Sequence, residues 1–85
     1  MTIEMLYFAW VRERIGKASE TVSPPSEVTT VAALIDWLAA GSTDHAAAFV
    51  DRNRLRAAVD QVFVALDAPL GSPREVAIFP PVTGG

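Results

Sequence analysis

Thr30-Val31-Ala32-Ala33-Leu34-Ile35-Asp36-Trp37-Leu38-Ala39-Ala40-Gly41 is the stretch from which the fold of this chain can be read. Thr30 has a side-chain oxygen suited to capping the first free backbone N–H groups of a helix. Val31, Leu34, Ile35 and Leu38 fall at i, i+3, i+4 and i+7, so they make one apolar stripe. Gly41 supplies a C-terminal stop. Trp37 lies off the stripe, where it can cover a neighbouring helix. One helix with one stripe covers one face of a sheet and leaves the other bare.

The flanking segments read as strands. Residues 2–9 are rich in strand formers and end at Arg12-Glu13-Arg14, and Trp10 to Ile15 makes a helical turn stopped by Gly16. Lys17 to Val22 is a second strand, ended by Ser23-Pro24-Pro25, which cannot continue a ladder. Asp44 to Val50 suggests a short helix with Ala46, Phe49 and Val50 inward. Leu55–Val59 and Val62–Leu66 are strands joined at Asp60-Gln61. Pro69 to Pro73 is a loop, and Glu75–Phe79 a last strand that Pro80-Pro81 stops. The order β-β-α-(α)-β-β-β predicts an α+β roll with a mixed sheet and one main helix on one face. That is the ubiquitin-like, β-grasp arrangement. The expected division is a domain over 1–79 and a flexible tail over 80–85.

Alternation then assigns faces. If Ile3, Met5 and Tyr7 meet the helix, Glu4, Leu6 and Phe8 face away. Val62 and Val64 go inward and Phe63 outward; Val76 and Ile78 go inward, Ala77 and Phe79 outward. Leu6, Phe8, Phe63 and Phe79 therefore share the bare face, unless the loop around Trp10 or the second helix folds over them. A clustered apolar patch points to a protein partner.

The 85 residues make one small domain with ordinary globular composition, 51% apolar and 20% charged. The longest apolar run, Met5 to Val11, has seven residues and falls far short of a membrane span. Glu4 inside the apolar N-terminal stretch and the lack of a basic leader argue against a signal peptide. Without cysteine there are no disulfides, thiolate metal sites or cysteine nucleophile, and the expected location is cytoplasmic. Net charge −3 argues against nucleic acid as a partner. Six of the seven cations are arginine, and Lys17 is the lone lysine.

The tail, Phe79-Pro80-Pro81-Val82-Thr83-Gly84-Gly85, spans about 20 Å fully extended from Pro80 onward. Two prolines stiffen its base and lower the entropy lost when it is threaded into a partner. Two glycines at the end leave the α-carboxylate unshielded by side chains. A stiff base and a slim tip suit insertion into a narrow active site on another protein, though a frayed end has the same composition.

These residues carry a resemblance that covers essentially the whole chain. The opening Leu6-Tyr7-Phe8-Ala9-x-x-Arg12-Glu13, the helix start Thr30-Val31-x-x-Leu34, the hairpin Val59-Asp60-Gln61 and above all Glu75-Val76-Ala77-Ile78-Phe79-Pro80-Pro81-Val82-x-Gly84-Gly85 are similar to the small, sulfur-carrier subunits of molybdopterin synthase. These belong to the ubiquitin-like superfamily. The resemblance implies that Gly85 is adenylated by an ATP-dependent activating enzyme and converted to a thiocarboxylate by a sulfur donor. The tail (Pro80, Pro81, Val82, Thr83, Gly84) would then enter the large synthase subunit. There sulfur would pass to cyclic pyranopterin monophosphate and build the dithiolene of molybdopterin. The family's partner-binding positions correspond to Phe8, Arg12, Phe63 and Phe79, although Arg12 also reads as a solvated or locally paired arginine. A heterotetramer of two carriers and two large subunits is implied, with no bound cofactor. Gly71-Ser72-Pro73-Arg74 departs from the family's usual Asp-Gly-Asp-like turn, and the stretch from Ser42 to Arg54 looks longer than usual.

Other functions stay open at this point. Carriers of the same design serve thiazole or cysteine biosynthesis, but their tails usually lack Phe-Pro-Pro. A protein modifier attached through Gly85, or an interaction module with an incidental diglycine, are the remaining classes. No Ser/His/Asp set or carboxylate pair suggests turnover by the chain alone. His45, the only histidine, has no second ligand near it in sequence, so a metal site is not expected. Asp51-Arg52-Asn53-Arg54 reads as a solvated loop.

Overall fold

The computed structural model describes residues 1–81. Alternation in Ile3-Glu4-Met5-Leu6-Tyr7 builds strand β1 (Ile3–Tyr7), with Ile3, Met5 and Tyr7 almost wholly buried. Helix α1 (Ala9–Ile15) follows and ends at Gly16, whose φ of 91° lets its N–H reach the Arg12 carbonyl. Then come β2 (Ser19–Val22), helix α2 (Val31–Gly41), helix α3 (Thr43–Ala48) and a 3-10 turn (Arg52–Arg54). The chain closes with β3 (Arg56–Val59), β4 (Val62–Val64) and β5 (Glu75–Phe79).

The strands form one five-stranded mixed sheet in the order β2-β1-β5-β3-β4. Only the central pair β1–β5 is parallel; β2, β3 and β4 join antiparallel. In the β3–β4 turn Asp60 and Gln61 both have positive φ, 49° and 71°, which matches the right-handed twist of the flanking strands. Asp60 Oδ1 accepts the N–H groups of Arg74 (2.8 Å) and Glu75 (3.0 Å), pinning that turn to the start of β5.

The Thr30 hydroxyl accepts from the Ala33 N–H at 3.1 Å, so α2 starts where its cap predicts. Val31, Leu34, Ile35 and Leu38 are buried against the sheet with Ile3, Met5, Tyr7, Val76 and Ile78. Each such side chain contributes about 1.5–3 kcal/mol relative to exposure. Val11 and Ile15 of α1, and Ala48 with Phe49 at the end of α3, complete the same core. Three helices therefore lie on one side of the sheet.

Three details differ from the sequence reading. Gly41 is the last residue of α2, and Ser42, in extended conformation, ends that helix while its hydroxyl caps α3. In α3 the inward stripe is His45, Ala48 and Phe49; Ala46 and Val50 are exposed. The spacing is that expected, moved by one residue, because a paired histidine takes the inward place. In β4, Val64 packs on the core but Val62 is 63% exposed. That strand is an edge, and among the described residues nothing packs over the end next to the turn.

Candidate functional site

Strand register sets what the helix-free face presents. Leu6 is the partner of Ala77, Ala77 of Ala58, and Ala58 of Phe63, which makes one row across four strands. The next row holds Phe79, opposite Arg56, with Phe8 just past the end of β1. Two small residues thus lie between large ones. Phe63 and Phe79 meet with ring centroids 5.4 Å apart. Phe8, Ala58, Phe63, Ala77, Phe79, Pro80 and Pro81 bound a shallow apolar depression of about 590 Å³. Ala58 is only 6% exposed although it stands outside the helix-side core, so its cover comes from the neighbours on this outer face.

Neither of the covers considered for this face lies over it. Trp10 packs against the helix-side core, held between α1 and the 3-10 turn with the Arg14 and Arg54 guanidinium carbons each 5.0 Å from its ring centre. Helix α3 lies with α1 and α2. Phe8 and Phe63 remain exposed, Phe63 by 75%. The structure thus brings Phe8, Phe63, Phe79, Pro80 and Pro81 together. Arg12 stands one helical turn from Phe8, exposed, with its own N–H bonded to the Phe8 carbonyl. Val82, Thr83, Gly84 and Gly85 lie outside the described residues. The structural role of Ala58 was missed, and alternation from Ala57 was the signal that could have found it.

A second polar group sits on the helix side. The Tyr7 hydroxyl donates to Glu20 Oε2 at 2.7 Å, and His45 Nε2 lies 2.6 Å from the same oxygen. Lys17 Nζ is 3.5 Å from Oε1. Burial alone raises the Glu20 pKa, but hydrogen bonds from Tyr7 and His45 and the charges of His45 and Lys17 outweigh it and hold it below the ordinary value. Burial first, then the bond to Glu20, pushes Tyr7 far above its ordinary value. The buried His45 Nδ1 has no partner among the described residues. No group of three or more metal-ligating side chains occurs among the described residues. This network joins α3 to β1 and β2. It is structural in character and lies on the opposite side of the sheet from the bare face.

The helix-free face is thus a bare apolar surface with Pro80 and Pro81 at its rim. The ThiS family model matches residues 5–85. The chain belongs to the ThiS family. The molybdopterin synthase sulfur carrier subunit of Escherichia coli (strain K12) is 46% identical over 83 residues, covering 98% of this chain and 99% of the relative. The subunit of the same name from Mycosarcoma maydis is 36% identical, covering 99% and 94%. Among solved structures, SAMP1 from Haloferax volcanii superposes with a TM-score of 0.72 over the whole of both chains at 24% identity, which establishes a shared β-grasp fold. The sulfur-carrier resemblance and the ubiquitin-like fold read from the sequence are thereby borne out. No helix among the described residues of this ThiS-family chain is long and apolar enough to cross a membrane.

Proposed function

We propose that this chain is the sulfur-carrier subunit of molybdopterin synthase, acting in the cytoplasm in molybdenum cofactor biosynthesis. The observation that carries the reading is the uncovered face of Phe8, Phe63 and Phe79 with Pro80-Pro81 leaving its rim, in a chain whose relatives of that name match it over nearly their whole length.

The chemistry uses the end of the chain. The Gly85 carboxylate attacks the α-phosphorus of ATP on an activating enzyme and releases pyrophosphate, so a poor electrophile becomes a mixed anhydride. A sulfur donor displaces AMP and leaves a thiocarboxylate, a covalent sulfur store in a chain without cysteine. The bare face then docks on the large synthase subunit, and the tail delivers sulfur to cyclic pyranopterin monophosphate. Water cleaves the acyl–sulfur bond once the sulfur has joined the precursor, so Gly85 returns as the carboxylate with an oxygen from water in place of sulfur. Two deliveries supply the two sulfurs of a dithiolene, which suits a complex of two carriers and two large subunits. Gly84 provides clearance in the channel, and the prolines stiffen the base of the tail.

The test is the intact mass of Gly85-thiocarboxylated protein before and after mixing with the large subunit and the cyclic precursor. Reversion to the carboxylate, with dithiolene product formed only when all three are present, is the expected result. A thiocarboxylate that persists with active partner and precursor overturns the reading and directs the search to another sulfur acceptor.

A further inference from the structure

Strand direction decides which charges meet. β1 runs parallel to β5, and β3 antiparallel to it. The end of β1, the end of β5 and the start of β3 therefore lie along one edge of the sheet. α1 continues from β1, and the 3-10 turn leads into β3, so both belong to this edge. Arg12 and Arg14 sit on α1, Arg52 and Arg54 in the turn, and Arg56 opens β3. Five of the chain's seven cations thus gather where the chain leaves β5 for the tail. The opposite edge carries Glu4 and Glu75, which are register partners, Asp60, which caps the start of β5, and a single cation, Arg74, just before that strand. A net charge of −3 conceals a molecule that is basic at the tail end and acidic at the far end.

Little at the basic edge neutralises it. Arg52 pairs with Asp36 at 2.7 Å. Arg56 donates to the carbonyl oxygens of Asn53 and Leu55. Arg14 and Arg54 share the Trp10 ring, where cation–π attraction offsets the repulsion between two like charges. Glu13 and Asp51 sit on the same elements, yet neither forms an ion pair among the described residues. Guanidiniums that outnumber the carboxylates around them raise the local potential, and carboxylates on a partner relieve it.

We infer that the rim of Arg12, Arg14, Arg54 and Arg56 docks against a carboxylate-rich protein surface around the opening that receives the tail. The inference rests on the reading that the tail enters a partner, and on no particular sulfur chemistry. The partner is a protein because the rim runs directly into apolar surface: Arg12 is one turn from Phe8, and Arg56 is the register partner of Phe79. Nucleic acid fits less well, since a phosphate backbone meets a net negative molecule beyond the rim. The apolar face supplies area, and the rim supplies orientation and the rate of encounter.

The experiment titrates the full-length, isotope-labelled chain with a hexaglutamate peptide, a hexalysine peptide and a single-stranded RNA hexamer, read by amide chemical shifts. Hexaglutamate is expected to move the Trp10 indole N–H and the amides of residues 10–16 and 52–56, leaving Glu4, Asp60 and Glu75 still. Its affinity is expected to fall at least about threefold between low and high salt, as the screening length shortens. It should fall at least as far in the Arg14→Glu/Arg54→Glu variant, whose changes are at exposed positions; if that variant loses spectral dispersion, Arg12→Glu carries the same test. No response at these residues, an undiminished response in the variant, or tighter binding by the RNA overturns the inference. Because no sulfur moves in this assay, its outcome is separate from that of the transfer experiment.

Discussion

From β1, Ile3, Met5 and Tyr7 point into a layer of three helices, while Leu6 and Phe8 point from the same segment into open space. Both faces arise from one alternation, yet they differ in what completes them. The helix side is filled from within the chain, by Leu34, Ile35, Val11 and Phe49. The other side has two alanines as a floor, phenylalanines standing around them, and nothing above them among the described residues. The helix side specifies the fold. The bare side gains less from being apolar, since Phe8 and Phe63 stay exposed in the free protein. On the proposed function, this apolar surface at the base of the tail is where a partner would complete the core.

Substitutions that treat the two faces alike would break this distinction, and the largest effect belongs to the helix side. Leu34→Ala should cost about 2–5 kcal/mol of unfolding free energy, measured by denaturant titration, while the folded fraction still binds the large subunit. Phe63→Ala should do the reverse. At 75% exposure it should change stability by less than about 1 kcal/mol, but weaken partner binding by about 2 kcal/mol, roughly thirtyfold, by calorimetric titration.

The polar network sharpens the comparison, because it exists only on the helix side. Glu20 has a lowered folded pKa, so its stabilising contribution is present above its unfolded value and lost as pH falls through the folded one. Acid titration of the wild type should lose stability below about pH 4.5, and Glu20→Gln should remove part of that dependence. Tyr7 has a raised pKa, so the folded state prefers its neutral form, and stability should also decline above about pH 10. Partner binding by the folded fraction should follow neither trend through these groups.

The smallest effect expected is at the junction of the two faces. Ala9 has φ 53°, a left-handed conformation that costs a non-glycine residue about 1–2 kcal/mol, partly offset by the entropy that glycine adds to the unfolded chain. Ala9→Gly should raise stability by less than about 1 kcal/mol, seen as a small increase in denaturation midpoint.

How much of this was legible in the sequence follows from the range of each interaction. The β1 and β5 alternations, the Thr30 cap, the Gly16 stop and the Asp60-Gln61 turn are set by neighbours within a few residues, and all stand where they were expected. The candidate face was also legible, because alternation carries across paired strands once their order is known. The inward stripe of α3 was not: a histidine goes inward only if a carboxylate awaits it, and Glu20 is 25 residues away in sequence. The exposure of Val62 depends on which strand is the edge, a property of topology rather than of local pattern. The arginine rim was invisible for the same reason. Arg12 and Arg56 belong to distant segments, and only the parallel β1–β5 pairing with antiparallel β3 brings their elements to one edge.

The measurement that bears most directly on the division of labour between the two faces compares thiocarboxylated wild type with thiocarboxylated Phe63→Asp. Sulfur delivery to the cyclic precursor by a limiting concentration of the large subunit would be followed, with the melting temperature recorded on the same samples. The predicted result is an unchanged melting temperature and a loss of transfer of at least about thirtyfold. A folded variant that delivers sulfur as fast as the wild type would contradict the assignment of the bare face to the partner.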